Sequence, residues 1–77
     1  MTLDEAALEK PVLIVGFSHM EDCERARLSG LGLRVGTLVT KLIFTPLRDP
    51  VECLVGPQLL ALERGLLKRI RVEEVPT

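Results

Sequence analysis

Hydrophobic and polar positions change their spacing several times along this chain, and each change marks an element. Residues 12–17, Val-Leu-Ile-Val-Gly-Phe, are a near-continuous, β-branched apolar run that stops at Ser18, which predicts a buried strand. From Ser18 the period lengthens. Ser18-His19-Met20-Glu21 has the form of a capping box: a serine oxygen accepts the N–H three residues on while the glutamate reaches back, so a helix is expected to start there. Glu21 and Asp22 complement the positive end of its dipole, and Glu21 and Arg25 stand at i,i+4. Met20, Cys23, Leu28 and Leu31 trace an apolar stripe, and Gly32 is placed to end the helix as its left-handed C′ residue.

Val35-Gly36 fits the centre of a turn leading into a second strand. Residues 37–44, 51–55 and 58–62 are then short β-rich runs separated by Pro46-Leu47-Arg48-Asp49-Pro50 and by Gly56-Pro57, the pattern of a meander. Residues 63–69 allow a brief helix with Leu66, Leu67 and Ile70 turned inward, which Gly65 weakens by about 1 kcal/mol relative to alanine. Ile70-Arg71-Val72-Glu73 alternates as a last strand. The fold class is therefore mainly β: five short strands in a small closed or nearly closed barrel, an inserted α-helix and a short second helix. Residues 1–77 make one domain, with residues 1–10 and Pro76-Thr77 expected at its periphery.

Composition narrows the function. Of 77 residues, 26 are Leu, Val or Ile, so most of the apolar side chains are needed for one core. Net charge is −1, with four basic and six acidic groups in residues 1–38 and six and five in the remainder. No basic field exists to neutralise a run of phosphates, which argues against nucleic acid. Asp4, Glu5 and Glu9 stand where a leader would be basic, and the longest apolar run, residues 11–17, is too short to cross a bilayer. A soluble, cytoplasmic protein without membrane insertion is expected. Cys23 and Cys53 lie thirty apart with no CxxC, so both are expected to be reduced.

Candidate chemistry is sparse. Gly30-Leu31-Gly32-Leu33-Arg34-Val35-Gly36 resembles a phosphate loop only superficially, because its third glycine falls one place late and it follows a helix instead of a strand. His19 and Cys23, at i,i+4 on the expected helix, are the candidate metal ligands. Two ligands are too few for zinc, and the alternative is a helix-cap histidine beside a buried cysteine. One histidine, no tyrosine, and serines only at 18 and 29 leave no nucleophile with its base, so no catalytic residue and no cofactor is assigned. Phe17 and Phe44, the only aromatic residues, are expected in the core, which removes the platforms used for proline-rich peptides and stacked bases. Contact with another protein remains. Arg27 falls near the middle of the expected apolar stripe, either snorkelling along the core to pair with Glu24 or marking a docking face.

The segments Ile14-Val15-Gly16-Phe17-Ser18, Arg27-Leu28 through Leu31-Gly32-Leu33 to Gly36, Thr45-Pro46-Leu47 with Asp49-Pro50-Val51, and Leu60-Ala61-Leu62 followed by Ile70-Arg71-Val72 together resemble the ferrous-iron transport protein A family, FeoA, over residues 11–75. The resemblance implies an SH3-like barrel with an inserted helix and no catalysis. It also implies a cytoplasmic partner, the GTP-hydrolysing domain of the ferrous iron transporter. The alternative is a free-standing regulatory domain like the C-terminal module of metal-dependent repressors. Two positions depart from the family pattern: Val35 stands where proline is usual, and Arg48 where glycine is usual. If φ is positive at position 48, arginine costs about 1 to 2 kcal/mol there. Leu28, on the family's helix motif, and its neighbour Arg27 are the candidates for partner contact, and the apolar barrel edges allow weak self-association.

Overall fold

The computed structural model describes residues 1–44, 46 and 49–76. A 3₁₀ turn at Leu3–Glu5 is followed by β1 (Val12–Phe17), α1 (Asp22–Gly30), β2 (Leu38–Phe44), β3 (Val51–Val55), β4 (Gln58–Leu62), α2 (Arg64–Leu67) and β5 (Ile70–Glu74). The strands form one antiparallel sheet in the order β4-β3-β2-β1-β5. Five strands, an inserted helix and a short second helix therefore appear as the sequence pattern predicts. Val12 faces Val39, and Val39 faces Val55, so successive strands bring β-branched side chains into one inner row. Ile14, Val51, Cys53, Leu62, Ile70 and Val72 share that buried interior. Phe17 packs partly buried against it, while the side chain of Phe44 and the expectation for Arg48 lie outside the described residues.

The first ten residues are not peripheral. Leu3 is fully buried and Ala6 nearly so. Thr2 bridges Arg71, the Val72 N–H donates to the Met1 carbonyl at 2.8 Å, and the Glu9 N–H donates to the Lys41 carbonyl at 2.7 Å. This segment thus covers the outer edge of β5 and inserts one leucine below the sheet. The capping pattern expected at Ser18 is found here instead, where Glu5 Oε1 accepts from the Thr2 N–H at 2.8 Å and from the Thr2 hydroxyl at 3.1 Å.

Ser18 does not cap α1. Its N–H extends the β1–β5 pairing by donating to the Arg69 carbonyl at 2.9 Å, and His19 then turns the chain with a φ of 50°. The helix begins only at Asp22, with Glu21 extended at the N-cap and an Arg25–Asp22 ion pair in the first turn. Of the expected stripe, Leu28 is buried and Met20 packs partly buried from the connection before the helix, whereas Cys23 and Leu31 are exposed.

The end of α1 follows the sequence closely. Gly32, at φ 93°, is C′ of a Schellman motif: its N–H donates to the Ser29 carbonyl at 3.0 Å, and the Leu33 N–H donates to the Leu28 carbonyl at 2.9 Å. Leu28 and Leu33, the pair this motif brings together, are both buried. Arg34 to Thr37 then form a turn closed by the Thr37 N–H to the Arg34 carbonyl at 3.1 Å, with Gly36 supplying the positive φ. At the far end of the molecule, Asp49 Oδ1 accepts from the Arg64 N–H at 3.0 Å and so satisfies a free donor at the start of α2.

Candidate interaction surface

Because the interior absorbs only part of the aliphatic side chains, those left outside define the surface chemistry. Arg27 and Leu31 stand at i,i+4, which aligns them along one side of α1 as it ends. Leu31 is 41% exposed, Val35 62% and Leu38 47%, so the stretch from the C-cap of α1 to the first residue of β2 presents three uncovered aliphatic groups within eight residues. The Schellman turn explains this arrangement: by directing Leu28 and Leu33 inward, it leaves Leu31 on the outside. Arg27 lies one helical turn before the run and Arg34 within it; both are exposed, and neither makes an ion pair among the described residues. Arginine is enriched where proteins meet, and its presence beside uncovered aliphatic groups makes this stretch the candidate surface.

The pairing expected for Arg27 is made by another residue. Glu24 accepts from Arg69 Nη1 at 3.0 Å, and the same nitrogen reaches the His19 carbonyl at 3.4 Å, so Arg69 ties α1 back to the start of β5. Both partners of that ion pair are about a third exposed, which limits it to about 1 kcal/mol or less. The two contact candidates from the sequence are thereby separated: Arg27 is exposed, while Leu28 belongs to the core and supports the surface from beneath.

His19 and Cys23 do not form a helical ligand pair, because His19 lies before α1. The Cys23 thiol instead approaches Glu21 Oε2 at 3.9 Å, and it is not the buried cysteine that was expected. Among the described residues no three His, Cys, Asp or Glu side chains come together to hold a metal ion. A groove of about 630 Å³ runs between the chain ends, lined by Met1, Ala7, Lys10, Pro11, Glu74 and Val75. Its charged side chains, Lys10 and Glu74, do not make the convergent polar set that fixes a small ligand.

One buried cation escapes the sequence reading. Lys41 is 2% exposed and stands opposite Cys53 in the β2–β3 ladder, with its ammonium donating to the Asp4 carbonyl at 2.9 Å. Burial lowers the Lys41 pKa from 10.5, against the opposing charges of Asp4 and Cys53. Burial pushes the Cys53 thiol up to about 11, with Lys41 acting in the other direction. Such a thiol holds its proton and is a poor nucleophile and metal ligand, so this pair belongs to packing. Its only sequence signal is a lone cation inside an apolar strand.

The structure is a small domain built on a single antiparallel sheet, with its N-terminal segment along the outer edge of β5 and exposed aliphatic and arginine side chains from α1 to β2. The FeoA domain model matches residues 1–74, and the chain belongs to the FeoA family. FeoA from Chlorobium tepidum is 30% identical with a TM-score of 0.88, over 99% of this chain and 71% of that one. Iron(II) transport protein A from Clostridium thermocellum is 25% identical with a TM-score of 0.85, over 97% of this chain and 46% of that longer one. FeoA from Stenotrophomonas maltophilia, solved with zinc, is 26% identical with a TM-score of 0.77, over 95% of this chain and 89% of that one. That relative is described as a prokaryotic SH3 domain protein, and a role as a ferrous iron transport activating factor has been suggested for it. None of the curated proteins compared with the chain matches it. The fold is accordingly SH3-like and the family is one linked to ferrous iron transport. Among the described residues no helix is long and apolar enough to cross a membrane.

Proposed function

We propose that this chain is a non-catalytic cytoplasmic accessory of ferrous iron uptake, and that it docks on the cytoplasmic GTP-binding domain of the ferrous iron transporter through Arg27, Leu31, Arg34 and Val35. Membership of the FeoA family supports the pathway. The observation that carries the mode of action is the exposed aliphatic run from Leu31 to Leu38, with the unpaired Arg34 inside it and the unpaired Arg27 one helical turn before it. Leucine and valine side chains in such a patch gain by leaving water, and the two guanidinium groups select an acidic rim on the partner. Leu28 contributes by holding the end of α1 in place. No cofactor is needed for this role.

Calorimetric titration of the chain with the purified GTP-binding domain tests the reading. Arg27→Glu and Val35→Asp are each expected to weaken binding about tenfold or more, or about 1.4 kcal/mol, because each places an unfavourable charge at the contact. Cys23→Ser is expected to leave the affinity unchanged. Equal affinity for the wild-type chain and both charge variants would remove the proposed surface, and absence of heat at any nucleotide state would remove the proposed partner.

A further inference from the structure

The two edges of the sheet are treated differently. The outer edge of β5 is covered by Met1 and Thr2, and that strand carries Arg71, Glu73 and Glu74. β4 ends the sheet on the other side with Gln-Leu-Leu-Ala-Leu, which contains no charge and no proline, the residues that normally protect an edge from pairing. We infer that β4 is a self-association edge, pairing antiparallel with β4 of a second copy of this chain.

The register of the β3–β4 hairpin shows which groups are available. Val55 and Gln58 close the two-residue Gly56-Pro57 turn, so Val55–Gln58, Cys53–Leu60 and Val51–Leu62 are the hydrogen-bonded pairs. The N–H and C=O of Leu59 and Ala61 therefore point away from β3. A two-fold axis through Leu60 sets Leu59 of one copy against Ala61 of the other, and all four outward groups of each strand segment find partners across the axis. The same operation sets Glu63 against Pro57 and Arg64 against Gly56, so no like charges meet. Self-complementarity selects a second copy as the occupant: a neutral five-residue strand offers a foreign partner no charge to recognise. The surface outside the edge is continuous with this pairing, since Leu59 is 59% exposed and faces Leu54, itself 38% exposed, across β3. In this register each Leu54–Leu59 pair continues into Ala61 and Glu52 of the other copy, so the exposed leucines lie diagonally on either side of the axis. A strand pairing of this length buries less than a standard interface, so the dimer is a weak one.

Sedimentation of the full chain from about 10 µM to about 1 mM tests the inference, together with amide hydrogen exchange over the same range. The expected result is a monomer–dimer equilibrium in which the Leu59 and Ala61 amides become protected as concentration rises. Ala61→Pro removes only an outward N–H and Leu59→Lys adds an edge charge, and each is expected to raise the dimer dissociation constant at least about tenfold. Circular dichroism verifies that each variant is folded, and Leu59→Lys, which keeps every ladder hydrogen bond, decides the matter should Ala61→Pro disturb the strand. A chain that stays monomeric to about 1 mM overturns the inference, including a chain whose β4 pairs only with another protein. A dimer that Leu59→Lys leaves unchanged, or whose protected amides lie elsewhere, overturns it as well.

Discussion

Replacing Leu3 with alanine is expected to lower the unfolding free energy by about 3 kcal/mol, one of the largest effects of any single substitution in this chain. Leu3 is fully buried beneath the sheet, where it joins the same apolar cluster as Ile14, Leu33, Leu67 and Ile70. The loss combines the transfer free energy of the side chain with the cavity left behind. Its consequences extend along the N-terminal segment. Asp4, next in sequence, holds Lys41 through its carbonyl and Arg64 through its carboxylate at 3.3 Å, and Met1 satisfies the Val72 N–H. In a domain of this size such a loss lowers the melting temperature by about 12 to 24 °C. Thermal denaturation followed by circular dichroism measures it directly; a drop of under about 5 °C would mean that the segment is only loosely attached.

The second large effect is an alkaline loss of stability that depends on Cys53. In the unfolded chain this thiol ionises near its ordinary value of 9.0, whereas in the fold burial raises it to about 11. Between those values the unfolded state holds fewer protons, so stability falls as pH rises, by about 2 to 3 kcal/mol across the interval. Lys41 acts in the opposite sense. Its folded pKa is depressed below 10.5, so the unfolded state binds more protons in that range and stability rises with pH until the unfolded lysine has also titrated. The wild-type profile is the difference of the two. Cys53→Ala is expected to abolish the fall above pH 9, and Lys41→Met to steepen it, because the opposing contribution is removed. Denaturant midpoints measured from neutral pH to about 11 distinguish these outcomes, and an unchanged fall in Cys53→Ala would place its origin in other groups.

The elements best read from the sequence are those whose local pattern and long-range pairing agree. β1, β3 and β4 have the expected bounds because turn residues flank their apolar runs and the strands on either side require the same alternation. Gly32 and Gly36 were legible for a similar reason, since each occupies a backbone conformation that few other residues adopt at low cost. The start of α1 was misread where two demands compete for one group: the Ser18 N–H is taken by the Arg69 carbonyl, fifty-one residues away, and no local pattern contains that information. Leu3 and Lys41 share this dependence on long-range contact. An isolated leucine among acidic residues looks peripheral until Asp4 and Lys41 meet, and a single lysine in a β run looks solvated until the N-terminal segment covers it.

The exposed stretch at the end of α1 is only partly legible in the sequence. The sequence pattern places Leu31 in the buried stripe because a helix capped by Ser18 starts three residues early and turns that face inward. The glycine at position 32 held the corrective signal: it makes Leu31 the C-cap and Leu28 and Leu33 the inward pair. Val35, where the family usually has proline, adds aliphatic surface to the same run.

The role of this surface is tested most directly by ¹⁵N NMR of the labelled chain titrated with the GTP-binding domain of the transporter. Docking as proposed predicts shifts and broadening concentrated on residues 27–38, with the amides of β5 and the N-terminal segment unmoved. Perturbations confined to other parts of the chain, or a spectrum that responds to Fe²⁺ around His19 and Cys23 while ignoring the GTP-binding domain, would contradict it.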